Sequence, residues 1–534
     1  MLKQRKVKNW AEPVNALLFL VLVMLILGVF FRFVNLDKKP YWHDETYTSL
    51  RISGYTKAQL IQQSEQGVFG IKDLLKYQYP NPEKNVINVV NSLAAEDTHP
   101  PFHVLITRFW MQWFGNSPAV ARNLSAVISL LALPCIYYLC LELFNSPLTG
   151  WMAICLLAVS PFHVLYAQEA RPYSLLGTTI LLSSTFLLRA MRLNTKRSWY
   201  LYAVTLTLGF YSHLFFGLAA VGYGIYAIAV EKFRLTKKLS NYLLATCLGL
   251  LAFTPWILTV ALNFSSFKSA SSWISTQKLT LLGAIRIWFE NISLSFVDLQ
   301  VANYFHISKF SLYFLLIPIL LLVGYAIYFL YVTTSKRTYL FVFTLIGVTA
   351  LALIAADIIL GGNRQTWPRY IVACYLGIEL AVAHLLATKI TAVSVSLQRQ
   401  KLWQIVVVAL ISCGVLSCAV SSQAESWWNN YGGAFHLQAS RVINLTPQPL
   451  LLGDRSAFMG AMPLVYLLDP KVKFQYIGSS LPQISSNVSD VFLFYPSEKL
   501  KTELKNQNYK LELLSKDNSS PLELWKVNYD ANVS

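Results

Sequence analysis

Long apolar runs alternate with short polar stretches along most of the chain. They fall at about 14 to 35, 118 to 143, 150 to 166, 173 to 190, 199 to 214, 215 to 230, 241 to 262, 310 to 332, 338 to 360, 369 to 388 and 402 to 420. A helix crosses a bilayer with roughly 20 apolar residues, so the pattern predicts a polytopic α-helical membrane protein of about eleven spans. The first run ends without a small-residue cleavage site and reads as an uncleaved span rather than a signal peptide. Phe102 to Phe114 is too short to cross, and its Trp110 and Trp113 suit a helix lying in the interface.

Two long stretches, 36 to 117 and 263 to 309, separate these runs and read as external loops, the first containing the amphipathic segment Lys84 to Ala95. After Val420 the period changes. LLLGD, VKFQYIG, DVFLFYP and ELWKVN read as strands, and PLVYLL and SEKLKTELKNQ as helices, a small α/β domain. The expected organisation is a membrane-embedded domain over 1–420 that includes both loops, followed by an extracytoplasmic α/β domain over 421–534. No internal repeat of the kind found in inverted-repeat transporters is visible.

Composition agrees with this reading, since 55% of residues are hydrophobic and only 13% charged, which excludes an ordinary soluble protein. The net charge of +18 comes from basic residues spread over alternate short loops. These are Lys3, Arg5, Lys6 and Lys8; Arg189, Arg192, Lys196 and Arg197; Lys232, Arg234, Lys237 and Lys238; Lys336 and Arg337; and Lys389, Arg399 and Lys401. The positive-inside rule makes those loops cytoplasmic, placing the N-terminus inside and the C-terminal domain outside a plasma membrane, with no nucleic-acid partner. Cys135, Cys140, Cys155, Cys247, Cys374, Cys413 and Cys418 all fall in expected spans and read as small apolar fillers.

The polar residues that break this pattern gather at the expected external ends. Asp44 and Glu45 follow the first span; a carboxylate there could serve as general base, or the pair could cap a helix starting near Thr46. Asp97 and His99 precede Pro100 and Pro101, which stiffen the entrance to the Phe102 helix. Arg122 and Arg171 open spans at the external side, against the charge bias, where guanidinium forks match phosphate oxygens and snorkelling is the competing explanation. Glu169 is placed to orient either arginine. Arg364 and Arg369, after a span containing Asp357, add two more, with interfacial anchoring by Trp367 as the alternative, and Tyr173, Tyr211 and His213 point the same way.

The acidic pair, the HPPF segment, FGNSPAVARNLSAVISLL and SPFHVLYAQEARPYSLL occur in the order and spacing of a known family. Over roughly residues 10 to 230 the chain resembles the bacterial protein-mannosyltransferase and aminoarabinose-transferase clan, glycosyltransferase family 39 of the GT-C type. That resemblance implies a GT-C fold, a polyprenyl-phosphate sugar donor, an external active site and inverting transfer with Asp44 as base. Arg122 matches the arginine of the family's second span. Two departures are visible: Phe102, His103 and Val104 stand where several relatives carry a basic residue for the donor phosphate, and QEARPY replaces the LDP-like segment of the aminoarabinose transferases. Neither that sugar nor a lipid A acceptor therefore carries over.

The expected mechanism assigns Arg122, Arg171 and Arg369 to the leaving phosphate, with Arg364 and His99 as further donor contacts, Asp44 and Glu45 as the catalytic pair, and Asp97, Glu169, Tyr173 and His213 in support. Phosphate leaves without an acid, so one base suffices, unlike a glycosidase. With one acidic pair and no DxD, no metal cofactor is expected, a divalent ion being the alternative. The acceptor is a lipid, a glycan or a protein. A transporter or flippase of an anionic lipid-linked substrate is the competing class, with Glu379 and Asp357 as its midspan candidates. A receptor or scaffold is supported only by the tail.

Overall fold

A computed structural model of the chain describes residues 11–64, 67–96, 99–271, 280–391, 396–454, 458–477, 490–517 and 521–529. Asp97 and the basic residues Lys3 to Lys8 lie outside the described residues. The chain divides into two compact units: Met1–Val34, Ser125–Leu262 and Lys268–Ser422 form the membrane unit, and Asn35–Leu124, Asn263–Phe267 and Gln423–Ser534 form the sheet unit.

In the membrane unit every expected apolar run is helical. Among the described residues seven helices are long and apolar enough to cross a bilayer, and an eighth if the bent pair Pro147–Ala158 and Pro161–Ala167 is one span. Lys196–Ser212 has 17 residues and Phe216–Val230 has 15. At 1.5 Å per residue the shorter one falls short of a hydrocarbon thickness of about 30 Å.

The 59° bend between Pro147–Ala158 and Pro161–Ala167 has a local cause. Pro161 has no N–H, so the carbonyl of Leu157 loses its i+4 donor, and Phe162 N–H turns away to donate to Leu294 O. The buried Arg32 replaces both donors, giving hydrogen bonds to Leu157 O at 3.1 Å and Ala158 O at 2.6 Å, and also to Gly28 O and Ser129 Oγ. An arginine inside a span is costly unless its donors are used; here it repairs a break that proline makes. Nothing in the local hydropathy singles out this role.

The sheet unit is built on six strands, β1 (Val68–Gly70), β2 (Pro449–Asp454), β3 (Lys473–Ile477), β4 (Asp490–Phe494), β5 (Tyr509–Lys516) and β6 (Glu523–Tyr529), in the order β1-β3-β2-β4-β6-β5. The three central strands are parallel and the outer pairings antiparallel. Side chains alternate between faces along a strand. Leu451, Phe474 and Phe492 enter one core, while Leu450, Leu452, Val491 and Leu493 enter a second beneath the Glu498–Asn506 helix, with Leu500 and Leu504.

The first core corrects the expected domain division. Leu50, Tyr55, Leu60, Ile71 and Leu74, from the loop placed with the membrane domain, pack with Phe435, Phe474, Phe492 and Phe494 of the tail. Loop 36–117 also supplies β1, paired antiparallel through Phe69 and Phe474. Its expected amphipathic segment is the Val86–Glu96 helix, and Phe102–Phe114 is helical over the expected bounds, with Phe109, Trp113 and Phe114 exposed. The pattern missed β5 and the Gly433–Asn444 helix, and PLVYLL forms a 3-10 turn over Met462–Tyr466 instead of an α-helix.

Candidate active site

In the sheet unit, Asp44 and Glu45 stand in the first turn of the helix His43–Ser53, and they differ sharply in environment. Glu45 is fully buried and accepts the Trp42 N–H at 3.2 Å, so it is the residue that caps the helix. It also receives a two-pronged ion pair from Arg122, Nε to Oε1 at 2.8 Å and Nη2 to Oε2 at 2.6 Å. The remaining Arg122 donors go to Leu36 O, Lys39 O and Pro40 O. Five bonds account for all five N–H groups of a guanidinium.

The arrangement differs from the expected assignments. Arg122 is engaged as a brace for the backbone between Leu36 and Pro40 with all its N–H groups used, and Glu45 is its buried counter-charge. Pro40 O further accepts from Asn430 Nδ2 at 2.5 Å, tying the same turn to the tail segment. Asp44 remains partly exposed at the N-terminus of a helix whose dipole favours the carboxylate. His99 is also partly exposed, ahead of Phe102–Phe114. His103, close to the point where relatives carry a basic residue, is buried.

Elsewhere in this unit Arg108 is another brace, bonded to the carbonyls of Ile52, Asn81 and Lys84. Burial holds its guanidinium below the usual arginine range. Arg51 pairs with Glu96 at 2.8 Å, and Glu96 also accepts the N–H groups of Lys57 and Ala58. None of these three was singled out from sequence, because a charge in a polar loop gives no sign that it is buried.

The membrane unit holds the other candidates. Arg171 and Arg369 are both more than nine-tenths buried and rest on aromatic faces. The Arg171 guanidinium lies 5.8 Å from the Tyr173 ring, and that of Arg369 lies 4.7 Å from Trp367 and 5.5 Å from Tyr370. A chain of rings joins them: Tyr173 to His213 at 5.7 Å, His213 stacked on Phe215 at 5.4 Å, and Phe215 to Tyr370 at 4.4 Å. Tyr166 contacts Tyr173 at 5.1 Å and lies in the field of both Glu169 and Arg369. His213 Nδ1 accepts the Phe215 N–H at 3.1 Å, so the proton of the neutral ring sits on Nε2.

The Ser212–Phe215 turn that ends Lys196–Ser212 is thus what brings His213 and Phe215 to this cluster. Glu169 and Arg171 sit in the short connection after Pro161–Ala167, where Arg171 N–H closes on Glu169 O at 2.8 Å and both side chains are buried. Arg364 is placed differently from Arg369. Its backbone N–H and Nη1 bond to Asp357 Oδ1, Nη1 also bonds to Gly361 O, and Gln365 N–H takes Asp357 Oδ2. Asp357 thereby caps the 3-10 turn Arg364–Thr366, which Trp288 and Asn291 grip from the helix Leu281–Ser293. Among the described residues no three His, Cys, Asp or Glu side chains gather as metal ligands.

Residues 98–258 match the family model described as dolichyl-phosphate-mannose-protein mannosyltransferase. No curated protein sequence matches the chain. Among solved structures, ArnT from Cupriavidus metallidurans in the apo state aligns with a TM-score of 0.55 and 13% identity over 97% of this chain and 98% of that one. The same protein bound to undecaprenyl phosphate gives 0.53 and 13% over 96% and 98%. The archaeal oligosaccharyltransferase AglB from Archaeoglobus fulgidus, in complex with an inhibitory peptide and a dolichol-phosphate, gives 0.46 and 12% over 98% and 75%.

The chain is a multi-pass α-helical membrane protein with the GT-C glycosyltransferase fold and a small mixed sheet. The resemblance expected from the motifs agrees with the family match over residues 98–258, and the likeness to ArnT is one of fold. The matched segment contains Arg122, Glu169, Arg171, Tyr173 and His213; Asp44, Arg364 and Arg369 lie outside it.

Proposed function

We propose that the protein is an inverting glycosyltransferase that moves a sugar from a polyprenyl-phosphate donor to an acceptor on the extracytoplasmic face of the plasma membrane. Glycosyl transfer as the class of activity is supported by the family match. The observation that carries the finer reading is the ring-linked pair Arg171 and Arg369 in the membrane unit, two buried guanidiniums on a scaffold of Tyr173, His213, Phe215 and Tyr370.

Charge develops on the phosphate as the glycosidic bond breaks. Guanidiniums already held in place stabilise that charge more in the transition state than in the ground state. Arg171 and Arg369 take this role, with the His213 Nε2–H as a further donor. Asp44 takes the acceptor hydroxyl proton as the oxygen attacks the sugar carbon; its neighbour Glu45 is already committed to Arg122. No acid is assigned, because a phosphate leaves as the anion.

The transporter alternative drew on Glu379 and Asp357. Asp357 serves as a cap for Arg364 and Gln365, and Glu379 stands 3.2 Å from His163, so both have local structural partners. The enzyme reading is tested by sugar transfer from a panel of radiolabelled polyprenyl-phosphate hexoses and pentoses, using purified protein in nanodiscs. Turnover with one donor that disappears in Asp44→Asn supports it. Full activity in Asp44→Asn removes the assigned base, and turnover with no donor or acceptor in the panel returns weight to transport.

A further inference from the structure

We infer that His163 and Glu379 form a buried ion pair that fixes the register of two helices and thereby spaces Arg171 from Arg369. The inference rests on the reading of those arginines as the phosphate site. Both residues belong to the membrane unit.

Glu379 has no solvent exposure, and His163 is 12% exposed. His163 Nε2 lies 3.2 Å from Glu379 Oε2, the distance of an ion pair, although the angle is poor for a hydrogen bond and neither Glu379 oxygen has another hydrogen-bond partner among the described residues. An isolated carboxylate in an apolar interior is strongly disfavoured; Glu379 has the His163 ring opposite it and also lies in the field of the buried Arg32 guanidinium. A glutamate in the middle of a span, in direct contact with the histidine of a neighbouring helix, is better explained by position than by packing.

The position is informative. His163 lies on the Pro161–Ala167 helix, just past the bend, and the chain reaches Arg171 eight residues later. Glu379 lies on Val372–Thr391, ten residues beyond Arg369. One pair therefore joins the two segments that deliver the two arginines. The same helices also meet through Phe162 and Tyr375, whose ring centroids are 4.1 Å apart. Ring packing holds helices together yet tolerates sliding and rotation, whereas a buried charge pair is favourable in a single register. His163 and Glu379 are thus positioning residues. Their effect reaches the lipid phosphate through Arg171 and Arg369.

The test uses the full-length protein in nanodiscs with undecaprenyl phosphate as the probe, its affinity followed by native mass spectrometry and Tm recorded alongside. Glu379→Gln keeps size and removes the charge, and binding is expected to weaken by about tenfold, within the usual range of energetic coupling to a binding site. Exchanging the charges, His163→Glu with Glu379→His, is expected to recover most of the loss. Wild-type affinity in Glu379→Gln, while Arg171→Ala has lost binding, overturns the inference; so does an exchanged pair no better than Glu379→Gln. If the wild type takes up no undecaprenyl phosphate, the donor reading fails instead. The pair is then decided by Tm in His163→Gln, Glu379→Gln and the double variant. A double loss no larger than the greater single loss upholds the pair, and losses that simply add overturn it. Should Glu379→Gln fail to fold, His163→Gln carries the affinity comparison.

Discussion

Arg122 grips Glu45 with two hydrogen bonds, at 2.8 and 2.6 Å, while its other three N–H groups close on backbone carbonyls. Removing one partner of a buried pair leaves the other charge uncompensated, at about 3–5 kcal/mol. Arg122→Ala and Glu45→Gln are each expected to lower the thermal stability of the purified protein by that order, and the double variant to lose less than the sum. An Arg122→Ala protein of wild-type stability that fails only in lipid-phosphate binding would restore Arg122 to the donor site.

Asp44 differs from its neighbour in being partly exposed. Asp44→Asn should leave Tm within a degree or two of wild type, as is usual for a change at an exposed position, while transfer falls by roughly 100- to 10,000-fold, the usual contribution of a general base. Comparing the two neighbours is the informative step: loss of stability without base function at Glu45, and the reverse at Asp44. Equal effects in both assays would mean that the pair acts only as a helix cap.

The arginines of the membrane unit are expected to separate in the same way. Arg369→Ala and Arg171→Ala remove charges held on Trp367, Tyr370 and Tyr173, and undecaprenyl-phosphate affinity should fall at least tenfold in each, about 1.4 kcal/mol. Arg364→Ala acts on a charge already paired with Asp357. Its effect should appear in Tm, and little in affinity. Isothermal titration on the three variants checks the order; an affinity loss largest in Arg364→Ala would contradict it.

Much of this architecture was legible in the chain because hydropathy reports length and face. Every apolar run became a helix, and the unbroken apolar run Leu450, Leu451 and Leu452 became the strand it was read as, with both faces buried. What could not be read was partnership across long separations. Arg122 and Glu45 are 77 residues apart, and Phe69 pairs with Phe474. A signal of period 2 or 3.6 carries no information about such contacts. The loop around Asp44 therefore looked like a cap of the membrane domain, although its core is the core of the tail. One consequence is practical: deleting residues 425–534 removes Phe435, Phe474, Phe492 and Phe494 from beneath the helix that carries Asp44, so it would unfold that loop and could not isolate a role for the tail in acceptor choice.

The β5–β6 hairpin should carry an acid-sensitive contribution to stability. Burial alone would raise the Glu523 carboxyl, but hydrogen bonds from Lys516 and Trp525 and the charge of Lys501 outweigh it and hold the group below its ordinary value of 4.5. A lowered folded value means that the unfolded chain binds the proton more readily. The contribution is therefore fully present above about pH 4.5 and is lost as pH falls through the folded value. Melting curves between pH 6 and 3.5 should show a decline that Glu523→Gln flattens. An unchanged slope in that variant would move the effect to other carboxylates.

Arg32 offers the most direct check on how the broken span is held. Pro161 deprives Leu157 O of its helical donor, and Arg32 supplies that donor together with one for Ala158 O. Arg32→Met keeps most of the side-chain bulk and orphans these carbonyls in an apolar interior, where each unmade bond costs about 1–3 kcal/mol. The variant should therefore melt well below wild type. Adding Pro161→Ala restores an N–H facing Leu157 O and should recover part of the loss by letting the helix continue through the 59° bend. Straightening that bend also displaces the connection bearing Glu169 and Arg171, so the double variant should regain stability without regaining undecaprenyl-phosphate binding. Recovery of both together would show that the bend is incidental to the arginine cluster, and recovery of neither would mean that Arg32 acts through Gly28 and Ser129 instead.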